Sequence, residues 1–172
     1  GVTTDTGTYA NVITYPVVGD VSGDGVPDVV VTAYDSLDSH VLVAIDGGTG
    51  RTLWVVDREV SAHRAARNSV GLANLEPSDA ALEVAYRTND GDLRVVDGDG
   101  RWSDDDPAMR QEPSELAFID VPGSGRGAIE IADLNGDDIA DIVTGCHAYD
   151  TAPLRAAQST ALPLLFSFGN CS

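Results

Sequence analysis

At 172 residues, with 42 % apolar content and a formal net charge of −18, the chain is long enough for one domain with a hydrophobic core. Its 28 acids against 10 bases disfavour nucleic acid and anionic membrane surfaces as partners. No apolar run approaches the ~20 residues that span a bilayer, so no membrane insertion is expected.

Every base is arginine, and Asp far outnumbers Glu. Asp favours turns and loops, where its short side chain bonds nearby backbone or a cation. An Arg-favouring genome with Asp-rich turns explains this bias, and so does a salt-adapted surface. The chain starts at Gly1 rather than Met, as a mature or trimmed product does.

Short β-branched runs separated by Gly, Asp and Asn turns dominate the chain and predict an all-β fold. The first unit reads as strand 12–19, a loop, strands 27–34 and 40–46, the turn Asp46-Gly47-Gly48-Thr49-Gly50, and strand 51–57. The second reads as strand 69–74, a loop, strand 82–88, the turn Asn89-Asp90-Gly91, strand 92–97 and the turn Asp97-Gly98-Asp99-Gly100. Residues 103–114, with Asp104-Asp105-Asp106 and two prolines, read as an exposed loop. The third unit has strands 116–121, 127–133 and 139–144, and one short helix is expected from Ala152 to Leu162. The chain thus divides into a single repeat domain, 1–172, with units of about 10–57, 58–103 and 115–172.

Two loops are near-copies. Asp20-Val21-Ser22-Gly23-Asp24-Gly25-Val26-Pro27-Asp28 recurs as Asp133-Leu134-Asn135-Gly136-Asp137-Asp138-Ile139-Ala140-Asp141, 113 residues later. Midway stands a weaker third copy, Ala73 to Val84, with one extra residue. Each strong loop places oxygen side chains at positions 1, 3, 5 and 9: Asp20, Ser22, Asp24 and Asp28, then Asp133, Asn135, Asp137 and Asp141. The position-7 carbonyls of Val26 and Ile139 add a backbone oxygen, and the position-9 acid closes the shell. Gly23 and Gly136 permit the sharp turn. Calcium takes six to eight such oxygens. Neither loop contains His or Cys, which disfavours zinc and copper. Position 12 is Val31 or Thr144 instead of the Glu of an EF-hand, so each loop joins two strands. Two calcium ions are expected, as part of the fold.

Cys146 and Cys171 are the two cysteines. One disulfide closing the C-terminal segment, in an oxidising compartment, is the expectation; two unpaired thiols are the alternative.

The stretches Val18–Val31 and Ala132–Gly145 resemble the FG-GAP/VCBS-type repeat of integrin-α-like β-propellers. The segment Ile45–Trp54 also looks like the outer hairpin of quinoprotein-type propeller repeats. The resemblance implies blades whose loop aspartates bind calcium, in a platform for binding or adhesion. Tyr15-Pro16 stands where the family has Phe-Gly, Asp138 where it has Gly, and Ala140 where it has Pro. About three four-stranded units are too few for the four or more blades of a closed propeller. An incomplete or oligomer-completed propeller is therefore expected.

Other sites are weaker. His40, His63 and His147 lack a paired metal spacing, and no nucleophile elbow exists. Gly123-Ser124-Gly125-Arg126-Gly127 reads as a hairpin turn, Asp104-Asp105-Asp106 as a solvated loop, and Trp54 as a residue packed between sheets. Trp102 could stack on a sugar, and Asn170-Cys171-Ser172 fits a glycosylation acceptor. The function expected is a secreted or cell-surface, calcium-stabilised, non-catalytic repeat domain for binding, adhesion or assembly, with a protein or carbohydrate ligand. The alternatives are an accessory domain of an extracellular polysaccharide-active enzyme and a self-assembling subunit of an extracellular filament.

Overall fold

The computed structural model describes residues 2–4, 7–9, 11–12, 15–34, 40–56, 65–76, 79–88, 91–99, 115–121, 128–156 and 162–168. Among these the fold is all-β, with one 3-10 turn, Ala152–Ala156. Where the sequence reading expects a helix over 152–162, residues 152–156 form this 3-10 turn, and residues 157–161 lie outside the described ones.

In chain order the strands are β1 (Val2–Thr4), β2 (Gly7–Tyr9), β3 (Asn11–Val12), β4 (Val17–Gly19), β5 (Asp28–Tyr34), β6 (His40–Ile45) and β7 (Thr52–Val56). There follow β8 (Ala65–Ala73), β9 (Glu83–Thr88), β10 (Asp92–Val96), β11 (Glu115–Asp120), β12 (Ile129–Ala132), β13 (Asp141–Thr144), β14 (His147–Tyr149) and β15 (Leu164–Ser167). A small hairpin joins β1 and β2; every other strand belongs to one of three antiparallel meanders. The first sheet runs β4–β5–β6–β7, with β3 extending the β4 edge along β5. The second runs β8–β9–β10–β11 and the third β12–β13–β14–β15.

Two boundaries differ from the sequence reading. The single strand expected over 12–19 is two pieces, β3 and β4, with Tyr15 and Pro16 in neither; the missing N–H of Pro16 cannot join a ladder. The strand at 115–120 closes the second sheet by pairing with β10, rather than opening the third unit. The third sheet instead takes its last two strands from β14 and β15, beyond 139–144, the last strand expected in this unit.

The sheets stack face to face. Residues paired directly across an antiparallel ladder point to the same side. In the first sheet Val30, Ala44 and Trp54 form one such row and lie in a buried cluster with Val84, Tyr86 and Val96 of the second sheet. The opposite face of the second sheet, through Ala85, Val95 and Ala117, packs with Ile142 and Tyr149 of the third. Because β9 is covered on both sides, all six of its residues are buried, as expected of a strand sandwiched between layers.

Polar ties lock the layers. The Trp54 indole Nε1–H donates to the Gly98 carbonyl at 2.8 Å, and Leu82 N–H donates to the Asp20 carbonyl at 3.0 Å. The buried Arg87 donates across to Thr144 Oγ1 at 3.4 Å and back to the Gly91 carbonyl. A Cβ on Gly71 of β8 would come within 2.8 Å of Ile129 and Ile131, so glycine there sets how closely the second and third sheets approach.

Candidate metal loops

Each of the two copied loops links the first two strands of its sheet, and their backbones match. Gly23 and Gly136 both hold positive φ, 73° and 82°. Two residues later Gly25 holds 85° and Asp138 holds 63°. Asp138 therefore adopts the left-handed conformation that glycine supplies in the first copy, which Asp tolerates better than most residues.

Position 1 organises each loop. Asp20 Oδ1 accepts from Asp24 N–H at 3.1 Å, and Oδ2 from Gly25 N–H at 2.8 Å. Asp133 repeats the pattern, accepting from Asp137 at 3.3 Å and from Asp138 at 3.0 Å, and adds a bond from Gly136 at 2.7 Å. These amides, that of Gly136 foremost, hold the Asp133 carboxyl below its ordinary value. Position 5 does likewise: Asp24 accepts from Val26 N–H at 2.7 Å and Asp137 from Ile139 N–H at 2.9 Å. Asn135, at position 3, accepts from Asp137 N–H at 3.0 Å. The ligand residues named from the sequence thus lie in two like-built loops, but among the described residues neither Asp20, Asp24 and Asp28 nor Asp133, Asp137 and Asp141 bring their carboxylate oxygens within 4.8 Å of one another as a group.

Position 9 separates the copies. Asp28 and Asp141 both begin the second strand of their sheet and are fully buried. Both oxygens of Asp28 have donors: Oδ2 accepts from Val21 and Ser22 N–H at 3.1 and 2.9 Å, and Oδ1 from Gly47 N–H at 3.0 Å. Asp141 Oδ2 accepts from Leu134 N–H at 2.9 Å, but its Oδ1 is buried without a hydrogen-bond donor. Burial raises the Asp141 carboxyl, and the charges of Asp150, Asp137 and Asp133 push the same way. A buried carboxylate oxygen with no donor, among other carboxylates, is costly unless a cation reaches it. The donors are all hard oxygens, which fits calcium.

The weaker middle copy shares the same scaffold. Glu83 stands in the place of Asp28, and its Oε2 accepts from Leu75 and Glu76 N–H, the counterparts of Val21 and Ser22. A third acidic group was not legible in the linear sequence: Asp79, Asp97 and Asp99 bring one carboxylate oxygen each within 4.8 Å of one another. Asp79 comes from the middle loop and the other two from the turn after β10. Only the folding of those two segments against each other reveals the cluster.

Cys146 is disulfide-bonded; Cys171, its expected partner, lies outside the described residues, as do Gly123–Gly127, Asp104–Asp106, His63, Trp102 and Asn170. His147 lies in β14, with Nδ1 2.9 Å from Ser167 Oγ. Trp54 has no exposed surface, as a side chain packed between sheets requires. No family model matches this chain, and no curated protein and no solved structure matches it.

Proposed function

We propose that the chain is a calcium-stabilised, non-catalytic repeat domain of the FG-GAP/VCBS type, with propeller-like blades, working outside the cell as a platform for binding, adhesion or assembly. The donorless Asp141 Oδ1, buried where the charges of Asp133 and Asp137 reach it, carries this reading. An ion held by Asp133, Asn135, Asp137, Asp141 and the Ile139 carbonyl would neutralise the loop and fix the β12–β13 connection. Asp20, Ser22, Asp24, Asp28 and the Val26 carbonyl offer the corresponding set in the first sheet. In such a protein the sheets supply rigidity, and another surface meets the protein or carbohydrate partner.

Elemental analysis and melting in calcium or chelator test the reading. Two calcium ions per chain are expected, with one lost in Asp137→Ala. At a calcium concentration of about a hundred times the dissociation constant, the ion contributes about 2.7 kcal/mol. For a chain of this size, that is a melting shift of several degrees on chelation. No bound ion and no shift would remove calcium from the proposal.

Self-association into an oligomer or filament has its own supporting observation. On the face of the third sheet pointing away from the second, Phe166 and Phe168 are 45 % and 49 % exposed. Phe166 pairs with Ala148, and Ala148 with Val143. This is the row that Val30, Ala44 and Trp54 form in the first sheet, where the next sheet covers it.

A further inference from the structure

In all three units the turn after the third strand backs onto the carbonyl of the residue just before position 9. The third strands end at Ile45, Val96 and Tyr149, and each is followed by an aspartate: Asp46, Asp97 and Asp150. The next residue is the one that approaches. It is Gly47 in the first unit and Gly98 in the second. A Cβ on Gly47 would lie 1.8 Å from the Pro27 carbonyl oxygen, and one on Gly98 would lie 2.0 Å from that of Leu82. No side chain fits at either place.

The third unit breaks this rule with Thr151. Its Oγ1–H donates to the Ala140 carbonyl at 2.5 Å, so a side chain now occupies the gap that the glycines leave closed. Thr151 is itself fully buried. The neighbouring acids differ as well. Gly47 comes close enough for its N–H to bond Asp28 Oδ1, whereas the matching oxygen of Asp141 has no donor.

We infer that Thr151 is a selectivity device, which withholds the turn amide from Asp141 and so makes the Asp133–Asp141 loop the tighter of two unequal calcium sites. In the first loop the turn amide already occupies Asp28, and an ion there competes with the protein's own hydrogen bonds. In the third unit the ion is the remaining source of positive charge for Asp141 Oδ1. Thr151 acts through the turn and through Asp141, as a positioning residue. The inference rests on the calcium reading above and extends it to the order in which the sites fill.

Calorimetric titration of the chelator-stripped full chain with calcium chloride tests it. Two steps of different affinity are expected. Asp137→Ala should remove the tight step and Asp24→Ala the weak one. Thr151→Gly should weaken the tight step by about 10–100-fold, the usual effect of altering a group that orients a metal ligand. It should also narrow the gap between the melting temperatures with and without calcium. Thr151→Ala keeps the Cβ that blocks the approach and should retain the tight step. Equal affinities, the reverse assignment of the two steps, an unchanged tight step in Thr151→Gly, or an equal loss in Thr151→Ala would each overturn the inference. Each of these leaves the calcium reading standing. Absence of any bound calcium in the unmodified chain would sink both together. Should Thr151→Gly fail to fold, the assignment of the two steps by Asp24→Ala and Asp137→Ala still decides.

Discussion

The first and third sheets are built from the same plan and differ in what they leave unfinished. In the first, the position-9 acid Asp28 receives three backbone amides, and the row ending in Trp54 is covered by the second sheet. In the third, Asp141 keeps one buried oxygen without a donor, and the row ending in Phe166 leaves that ring 45 % exposed while Ala148 within it is buried. One repeat is satisfied by its own chain, while the other depends on something added. Sequence similarity between the two loops hides this difference, because it lies in residues outside them: Gly47 against Thr151, and a neighbouring sheet against none among the described residues.

The largest expected effect tests the covered faces. Trp54→Ala should cost about 3–5 kcal/mol, the usual loss for a large buried aromatic, and it also strands the Gly98 carbonyl. Phe166→Ala, at the matching place in the third sheet, should change monomer stability by less than about 0.5 kcal/mol. Urea unfolding curves for both variants give the comparison directly. Equal losses would mean that the third sheet's outer row is covered after all. Light scattering on Phe166→Ser adds the assembly readout: a smaller particle than the unmodified chain is expected if this face self-associates, and an unchanged monomer would remove that second reading.

A middle-sized effect tests the two acids. In chelator, Asp28→Asn places an amide nitrogen against backbone donors that need an acceptor, and should cost about 1.5–3 kcal/mol. Asp141→Asn removes a buried charge that the calcium-free protein cannot satisfy, so its cost in chelator should be near zero or negative. Adding calcium should reverse the order, because Asp141→Asn then forfeits the ion. Thermal melts of the two variants with and without calcium show whether the signs cross. Parallel responses would make the two loops equivalent and end the comparison.

Much of this was readable from the residues. Period-2 β-branched runs and Gly/Asp turns announced the strands, and the spacing of acids in the two loops announced their shared backbone. Even the weak middle copy proved legible, since Glu83 does for Leu75 and Glu76 what Asp28 does for Val21 and Ser22. What escaped depends on contacts between distant segments. That β11 joins the second sheet is decided by which edge it pairs with, and an isolated apolar run cannot specify that. The short strands β14 and β15 were missed because the long connection between them carries two prolines and no regular period. The role of Thr151 was invisible, since a threonine after an aspartate looks like any turn until the Ala140 carbonyl is seen behind it.

The smallest effect concerns the second sheet, which offers the position-9 acid in a third setting. Glu83 is buried, and that burial pushes its carboxyl up from 4.5 to about 7, although amides of Glu76 and Leu75 pull it down. An acid whose folded value is raised holds its proton in the native state after the unfolded chain has released it. Between pH 4.5 and about 7 the native state therefore binds more protons, and stability falls as pH rises. The Glu83 contribution is complete below 4.5, lost progressively up to about 7 and flat above that. Burial also raises Asp97 and Asp141, which act with the same sign, so the slope of the unmodified chain alone cannot isolate Glu83. Glu83→Gln can: it keeps an oxygen for the Leu75 and Glu76 amides and cannot ionise. Urea melts between pH 4 and 8 at fixed calcium should show the variant losing less stability across the window than the unmodified chain. Parallel curves would mean that Glu83 is ionised throughout, and that the middle repeat, like the first, satisfies its acid with backbone amides alone.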